Sequence, residues 1–274
     1  MPRLASSSSL LAALAGLVLL VVPFAKPVAE TAMMPHRAVY DLRLAKARGS
    51  QTVTAVSGQM TFVWKDVCDG WALEYDTQME LVFPKEGSRQ VAWRYSAWES
   101  DDAARLRFFL QRYLNGQKTM ERRGHASKSP DGGTAVITAP ERKEIALAPG
   151  TLFPGEHSRE LLAAARQNER FFYAEVFDGT GEHNGLFTAN AAILDAKSAD
   201  APDLDSPLLT GVSAWRINLA FFAPDDPKGT PESEQKVRYY ANGVAGRIEL
   251  DYGNFVVDAT LKELTALDRP DCGD

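Results

Sequence analysis

The sequence has few residues of the kinds that build metal sites or nucleophilic sites. Only two cysteines, Cys68 and Cys272, and four histidines occur in 274 residues, and the histidines lie far apart. The sequence contains no H-E-x-x-H segment and no cluster of cysteines with histidines, which are the spacings typical of zinc sites. We therefore expect neither a bound metal ion nor a cofactor.

Long apolar runs are also scarce, and the one that exists lies at the N-terminus. Residues 10–22 are uninterrupted by any polar side chain, and Arg3 precedes them. A membrane-spanning helix needs roughly 20 apolar residues, so this shorter run predicts a removed secretory signal peptide over residues 1–29, with a cut between Ala25 and Ala32. A retained anchor is the alternative. Beyond residue 32 no stretch could span a bilayer, so we expect no membrane span after signal removal.

Basic residues are outnumbered once the signal peptide is removed. Cutting after Ala29 removes two basic residues and leaves 28 basic against 36 acidic ones, a formal charge of −8. An acidic chain is repelled by nucleic acid and by anionic headgroups. We therefore expect no nucleic-acid partner.

The two cysteines lie near opposite ends of the exported chain. Thiols in an exported protein meet an oxidising environment, so a disulfide between Cys68 and Cys272 is one interpretation. The other is that both are small buried apolar residues that never meet. A bridge would tie the start of the mature chain to its end, which favours a single domain over residues 30–274.

The mature chain is dominated by apolar residues at every second position. This alternation is typical of half-buried strands, with turn residues between them. It predicts an all-β, mainly antiparallel fold of about 12–14 strands. The residues predicted to face inward include Tyr40, Leu42 and Leu44, then Met60, Phe62 and Trp64, then Trp71, Leu73, Tyr75 and Met79.

Two Asn-Gly pairs predict tight hairpin turns. Asn115 and Gly116 separate two alternating segments, and so do Asn242 and Gly243. Both residue types tolerate positive φ, which the two-residue turn that matches strand twist requires.

One segment, following GTLFP at 150–154, has helical rather than alternating spacing. Pro154 suits a first turn and Glu156 suits the positive end of a helix. The apolar residues that repeat at helical spacing are Leu161, Leu162, Ala164 and Ala165. We predict a single helix that packs against the concave side of a curved sheet.

No segment of the sequence predicts an assembled catalytic site. Ser213 in GVSAW lacks the second glycine of a nucleophile elbow and precedes a predicted strand instead of a helix. The glycine-rich residues 177–185 are followed by an alternating segment, which indicates a hairpin loop and not a phosphate-binding loop. The acidic pair Asp225 and Asp226 is typical of a solvated loop. We assign no catalytic residues.

Three residues are candidates for ligand binding. His157 falls in the first turn of the predicted helix, where the helix dipole favours the neutral ring. That ring could contact a ligand, or it could hydrogen-bond a neighbouring strand. Trp93 and Trp215 lie on predicted strands, where large rings either fill the core or line a groove for an apolar ligand.

Several short motifs, taken together, resemble the EipB-like cell envelope integrity proteins, which are periplasmic proteins of Gram-negative bacteria. The segments that carry the resemblance are Cys68-Asp69-Gly70-Trp71, SAWESDD at 96–102, GTLFP with His157 three residues on, FDG at 177–179, the NGV and LDYGNF blocks at 242–255, and the C-terminal Cys272. The resemblance covers nearly the whole mature chain.

The resemblance implies a spiral or half-barrel sheet wrapped around one α-helix, with Cys68 and Cys272 joined. It also implies a periplasmic, non-enzymatic protein that supports the envelope by an unspecified mechanism. We expect the partner to be another periplasmic or outer-membrane envelope protein, or a lipid-like ligand held in the concavity. The alternative is an envelope hydrolase acting on peptidoglycan or lipid, with His157 and nearby carboxylates as its site.

Overall fold

The computed structural model describes residues 33–49, 53–180, 183–194, 202–224 and 229–273. The predicted signal peptide and the pair Asp225 and Asp226 lie outside these residues. Within the described ranges, no helix is both long enough and apolar enough to cross a membrane.

In the described part of the chain, fourteen antiparallel strands form one sheet, which confirms the all-β prediction. The strands of the first half are β1 His36–Ala47, β2 Ala55–Asp66, β3 Gly70–Phe83, β4 Gly87–Ser100, β5 Arg105–Leu114, β6 Gln117–Ser129, β7 Gly132–Ala139 and β8 Lys143–Leu147. Those of the second half are β9 Phe171–Phe177, β10 Leu186–Ile193, β11 Ala214–Phe222, β12 Ser233–Tyr240, β13 Ala245–Asp251 and β14 Phe255–Ala266. The predicted helix is present as α1, Pro154–Arg166.

The order of strands across the sheet explains where the helix lies. From one edge to the other the order is β8 to β1 and then β14 to β9, so β8 and β9 form the two edges. The chain passes from β8 to β9 through α1. The helix therefore connects opposite edges of the same sheet, and it packs its buried residues Leu161, Leu162 and Ala165 into the core formed by the inner strand faces.

A short segment before the helix joins the two edges of the sheet. Leu152 forms a parallel bridge with Val176 of β9. Its N–H donates to the carbonyl of Glu175 at 2.9 Å, and its own carbonyl accepts from the Phe177 N–H at 3.0 Å. These bonds satisfy part of the exposed edge of β9 and connect it to the segment that follows β8.

One of the two predicted hairpin turns has the predicted form. Asn115 and Gly116 both have positive φ, at 49° and 77°, and they connect β5 directly to β6.

The other prediction, a two-residue turn at Asn242 and Gly243, was wrong about the type of turn. Between β12 and β13 four residues intervene, and only Gly243 has positive φ. The reason is tertiary: the Asn242 side chain donates to the Leu208 carbonyl, and the Asn242 carbonyl accepts from the Met34 N–H, both at 2.8 Å. These contacts hold Asn242 outside the left-handed conformation that a two-residue turn needs.

A disulfide joins Cys68 and Cys272, whose Cα atoms lie 5.5 Å apart. Cys68 lies in the turn between β2 and β3, and Cys272 lies in the tail that follows β14. Both residues are exposed, so the alternative of two separate buried thiols is wrong. The bridge fastens the C-terminal tail to the β2–β3 turn.

Candidate functional site

A cavity of about 460 Å³ lies between the helix and the inner faces of the strands. Its volume is within the range of roughly 300–1,000 Å³ that is usual for small-molecule sites. Strands from both halves of the sheet contribute to the cavity. Its wall residues come from β1, β2 and β3 of the first half and from β11, β12 and β13 of the second half. Much of the wall is apolar, with Met60, Phe62, Leu73, Leu161, Leu219 and Phe221 among its residues.

His157 reaches this cavity from the first turn of α1. Its ring packs against Phe172 of β9, with 5.7 Å between the ring centroids. The residue keeps a small exposed fraction, but its Nε2 atom is fully buried and has no hydrogen-bond partner among the described residues. Burial lowers the pKa of His157 to about 4, so the ring is neutral near pH 7.

Trp64 of β2 lies against the same turn of the helix. Its ring approaches Gly155 so closely that a Cβ added to Gly155 would lie 2.7 Å from a ring carbon. Trp64 also stacks on Trp71 of β3, with ring centroids 5.0 Å apart. Trp64 lines the cavity, and its indole Nε1 is buried without a hydrogen-bond partner in the described part of the chain.

Three tyrosines line the cavity from different strands. Tyr40 donates its hydroxyl proton to the Ala245 carbonyl at 2.6 Å, and Tyr239 extends from β12. Tyr75 extends from β3. Burial raises the pKa of all three hydroxyls above the usual value, so each remains protonated at neutral pH.

Two carboxylates lie at the wall of the cavity. Asp178 accepts hydrogen bonds from the Thr180 N–H at 2.7 Å and from its hydroxyl at 2.6 Å. Burial raises the pKa of Asp178, although these two bonds act in the opposite direction. Glu232 is exposed and lies 2.8 Å from Nε2 of His183. The described wall residues thus include acids but no lysine or arginine.

Buried polar contacts fix the N-terminal end of the helix that carries His157. The N-cap residue is Phe153, whose side chain cannot accept a hydrogen bond, and Glu156 instead caps this end by accepting from the Phe153 N–H at 3.2 Å. Lys128 of β6 pairs with Glu156 and donates to the Thr151 carbonyl at 2.7 Å. These contacts hold the first turn, and therefore His157, in a fixed position at the cavity.

The structure brings one of the three predicted ligand-binding residues to the cavity. His157 lines it, whereas Trp215 is buried in the hydrophobic core and Trp93 packs at the edge of that core. Ligand binding by any of the three stays a prediction.

Sequence reasoning did not select Trp64, Tyr75 or Tyr239 as site residues. The alternation in β2 and β3 already indicated that Trp64 and Tyr75 face inward. The sequence carries no signal for which inward residues meet at the cavity.

Among the described residues, the arrangement provides hydrogen-bonding groups around an apolar space. A hydrolase that used His157 as a base would need a carboxylate or hydroxyl bonded to the ring. Nε2 of His157 has no such partner among the described residues. In the same part of the chain, no three His, Cys, Asp or Glu side chains are grouped closely enough to hold a metal ion.

Comparisons with known proteins agree with this fold. The model of the EipB-like family matches residues 27–268. A relative described as cell envelope integrity protein EipB, from Brucella abortus (strain 2308), is 24% identical over 241 residues, which covers 86% of this chain and 85% of the relative.

A solved structure is also similar. It is a crystal structure described as a beta-barrel-like protein of a domain of unknown function, DUF1849, from Brucella abortus, with a TM-score of 0.80 and 21% identity. The match covers 86% of this chain and 99% of that one.

Proposed function

We propose, because the chain belongs to the EipB-like family, that this protein is exported to the periplasm and supports the integrity of the cell envelope. The name of the Brucella relative, a cell envelope integrity protein, supports this role. The apolar run at residues 10–22 supports export. We further propose that the protein acts by binding an envelope component and not as an enzyme.

The cavity is the observation that carries the binding proposal. It combines an apolar wall with a few polar groups, which is the usual composition of a small-molecule site. An amphipathic ligand matches this composition, because its apolar part would contact residues such as Leu219 and Phe62 while its polar part would meet His157 or a tyrosine hydroxyl. The occupant that we propose is therefore a lipid-like molecule.

The alternative function, an envelope hydrolase, receives less support from the same residues. His157 is the only histidine at the cavity wall among the described residues, and no nucleophile or carboxylate bonds its Nε2. Asp178 is engaged by Thr180 and not by His157. Binding without turnover accounts for this arrangement more simply.

A test of the proposal blocks the cavity and leaves the outer surface unchanged. Gln235 on β12 lines the cavity, whereas its neighbour Lys236 points outward with 65% of its side chain exposed. Gln235→Trp should therefore fill the cavity, and Lys236→Trp is the matched control on the same strand. Ala245→Phe on β13 is a second blocking variant, in case the first fails to fold.

Each variant would be returned to a strain that lacks the gene, and growth would be measured in detergent. We expect the wild type and Lys236→Trp to restore growth. The blocking variants should not restore it, although they accumulate in the periplasm and melt as the wild type does. Full restoration by folded blocking variants would exclude the cavity from the function, and a deletion strain with normal detergent resistance would contradict the envelope role itself.

A further inference from the structure

The charges of the wall residues restrict the class of ligand more than the volume of the cavity does. Among the described wall residues, Asp178 and Glu232 are acidic and none is a lysine or arginine. Proteins that enclose a carboxylate or phosphate group usually supply a cation or several N–H donors to it. The wall of this cavity instead carries acidic side chains, which do not favour an enclosed anion.

We infer that the ligand is a single-chain amphipathic molecule whose enclosed polar group is an uncharged hydroxyl or ester, and not a carboxylate or phosphate. This inference rests on the proposed binding function and specifies its ligand class.

The surroundings of Asp178 support the exclusion of an anion. Arg112 and Arg122 act on Asp178 electrostatically, and neither of them lines the cavity. An anionic headgroup beside Asp178 would have to leave water and would meet this acidic side chain, with no lysine or arginine among the described wall residues to pair with it. Both effects weaken binding, because the attraction that normally offsets desolvation is missing.

Two buried nitrogen atoms indicate where an uncharged polar group would be held. Nε1 of Trp64 can only donate a hydrogen bond, whereas Nε2 of His157 accepts or donates according to its tautomer. Both residues line the cavity, and both atoms lack a hydrogen-bond partner among the described residues. A hydroxyl group both donates and accepts, so it matches the hydrogen-bonding capacity of either nitrogen.

The two nitrogens also belong to one neighbourhood. Trp64 packs against Gly155 in the first turn of α1, and His157 extends from that same turn. The apolar wall residues Leu219, Phe221 and Phe187 come from β11 and β10 on the other half of the sheet. Met60 and Phe62 add apolar wall on the same strand as Trp64, so apolar surface lies on both halves of the sheet. A ligand with one polar group and a single apolar chain matches a wall that is largely apolar and holds these two nitrogens at the first turn of α1.

The test compares two probes that differ only in the polar group. The exported protein would be titrated with 1-monopalmitoylglycerol and with palmitate at pH 7.4, below their aggregation concentrations, with tryptophan fluorescence and native mass spectrometry as readouts. We expect monopalmitoylglycerol to bind at least about tenfold more tightly. His157→Phe, which keeps a ring of similar size without the nitrogen, should weaken that binding by about tenfold and leave palmitate binding nearly unchanged.

Removing the wall charges should change the selectivity in a predictable direction. Asp178→Asn and Glu232→Gln should each increase palmitate binding relative to monopalmitoylglycerol. Lys236→Trp, which lies outside the cavity, should behave as the wild type does.

Palmitate binding that equals or exceeds monopalmitoylglycerol binding would overturn the inference, and so would a failure of both probes to bind. Neither result would overturn the proposed function, which fails only if folded blocking variants restore detergent resistance or if deletion leaves that resistance normal.

Discussion

The carboxylate of Glu99 on β4 binds both the backbone and a side chain of the helix. Its Oε1 accepts a hydrogen bond from Nη2 of Arg159 at 2.9 Å, and its Oε2 accepts from the Gly155 N–H at 2.8 Å. Only 4% of the Glu99 side chain is exposed. Burial raises the pKa of this carboxyl, while Arg159 and the Gly155 N–H act in the opposite direction. Glu99 thus fastens the first turn of the helix to the inner face of the sheet.

Replacing Glu99 should destabilise the protein strongly. Glu99→Ala leaves the Arg159 guanidinium and the Gly155 N–H unpaired in a buried place, so we expect a loss of about 3 kcal/mol in the free energy of unfolding. Glu99→Gln keeps an acceptor oxygen and should cost less. Urea denaturation measures both values.

An exposed ion pair provides the control. Glu144 pairs with Arg142 at 2.9 Å, and both side chains are more than 60% exposed. Glu144→Ala should therefore cost less than about 1 kcal/mol. If Glu99→Ala cost no more than Glu144→Ala, Glu99 would not fasten the helix.

Much of this fold can be predicted from local sequence, because the alternation of apolar and polar residues indicates which face of a strand is buried. Tyr40, Leu42 and Trp64, which were predicted to face inward, are each at most 2% exposed. The helix was equally predictable, since Pro154 and the leucine-alanine spacing are local features. Asn115 and Gly116 specify their turn by their own tolerance of positive φ.

The features that escaped prediction depend on contacts between distant segments. The turn at Asn242 is set by Leu208 and Met34, which no local pattern connects to it. The cavity likewise gathers Trp64, His157 and Tyr239 from a strand, the helix and a strand of the other half. Alternation indicates that a side chain faces inward but not which inward side chains meet.

The disulfide should contribute substantially to stability. It connects residues separated by 204 positions, for which the chain-entropy relation gives about 5 kcal/mol as an upper expectation. Cys68→Ser and Cys272→Ser should therefore lower the melting temperature in oxidising buffer. In a reducing buffer that opens the bridge, the variants and the wild type should melt together.

The double variant, with both cysteines replaced by serine, separates loss of the bridge from effects of a free thiol. It should melt as the single variants do. Melting temperatures that are identical for all proteins under oxidising conditions would show that the bridge does not stabilise the fold.

Gly155 should not tolerate a larger side chain. An added Cβ would lie 2.7 Å from a Trp64 ring carbon and 2.9 Å from Oε2 of Glu99. Alanine normally favours a helix over glycine by up to about 1 kcal/mol. Here the overlap should outweigh that gain, so we expect Gly155→Ala to destabilise the protein by about 1 kcal/mol or more in thermal or urea unfolding.

Glu160→Ala, on an exposed position of the same helix, is the control and should change stability by less than about 0.5 kcal/mol. A Gly155→Ala protein more stable than the wild type would mean that Trp64 can move away from the helix without cost.

His157 should make the fold sensitive to mild acid. Its pKa is about 4 in the folded protein against 6.5 for the ordinary group, so the unfolded chain binds the proton more readily. The folded state therefore loses stability as the pH falls from 6.5 towards 4, and above 6.5 the residue contributes no pH dependence. The loss reaches at most about 3 kcal/mol at pH 4.

Comparing the wild type with His157→Phe isolates this contribution. Both proteins retain His36, whose pKa is also lowered by burial, and the same carboxylates, so these effects cancel in the difference. The difference in unfolding free energy should be constant above pH 6.5 and should shift in favour of His157→Phe as the pH falls, which urea denaturation from pH 8 to pH 4 would measure. A difference that stays constant down to pH 4 would mean that His157 takes up a proton in the folded protein as easily as in the unfolded chain. Nε2 would then be solvated, and its proposed contact with a ligand hydroxyl would lose its physical basis.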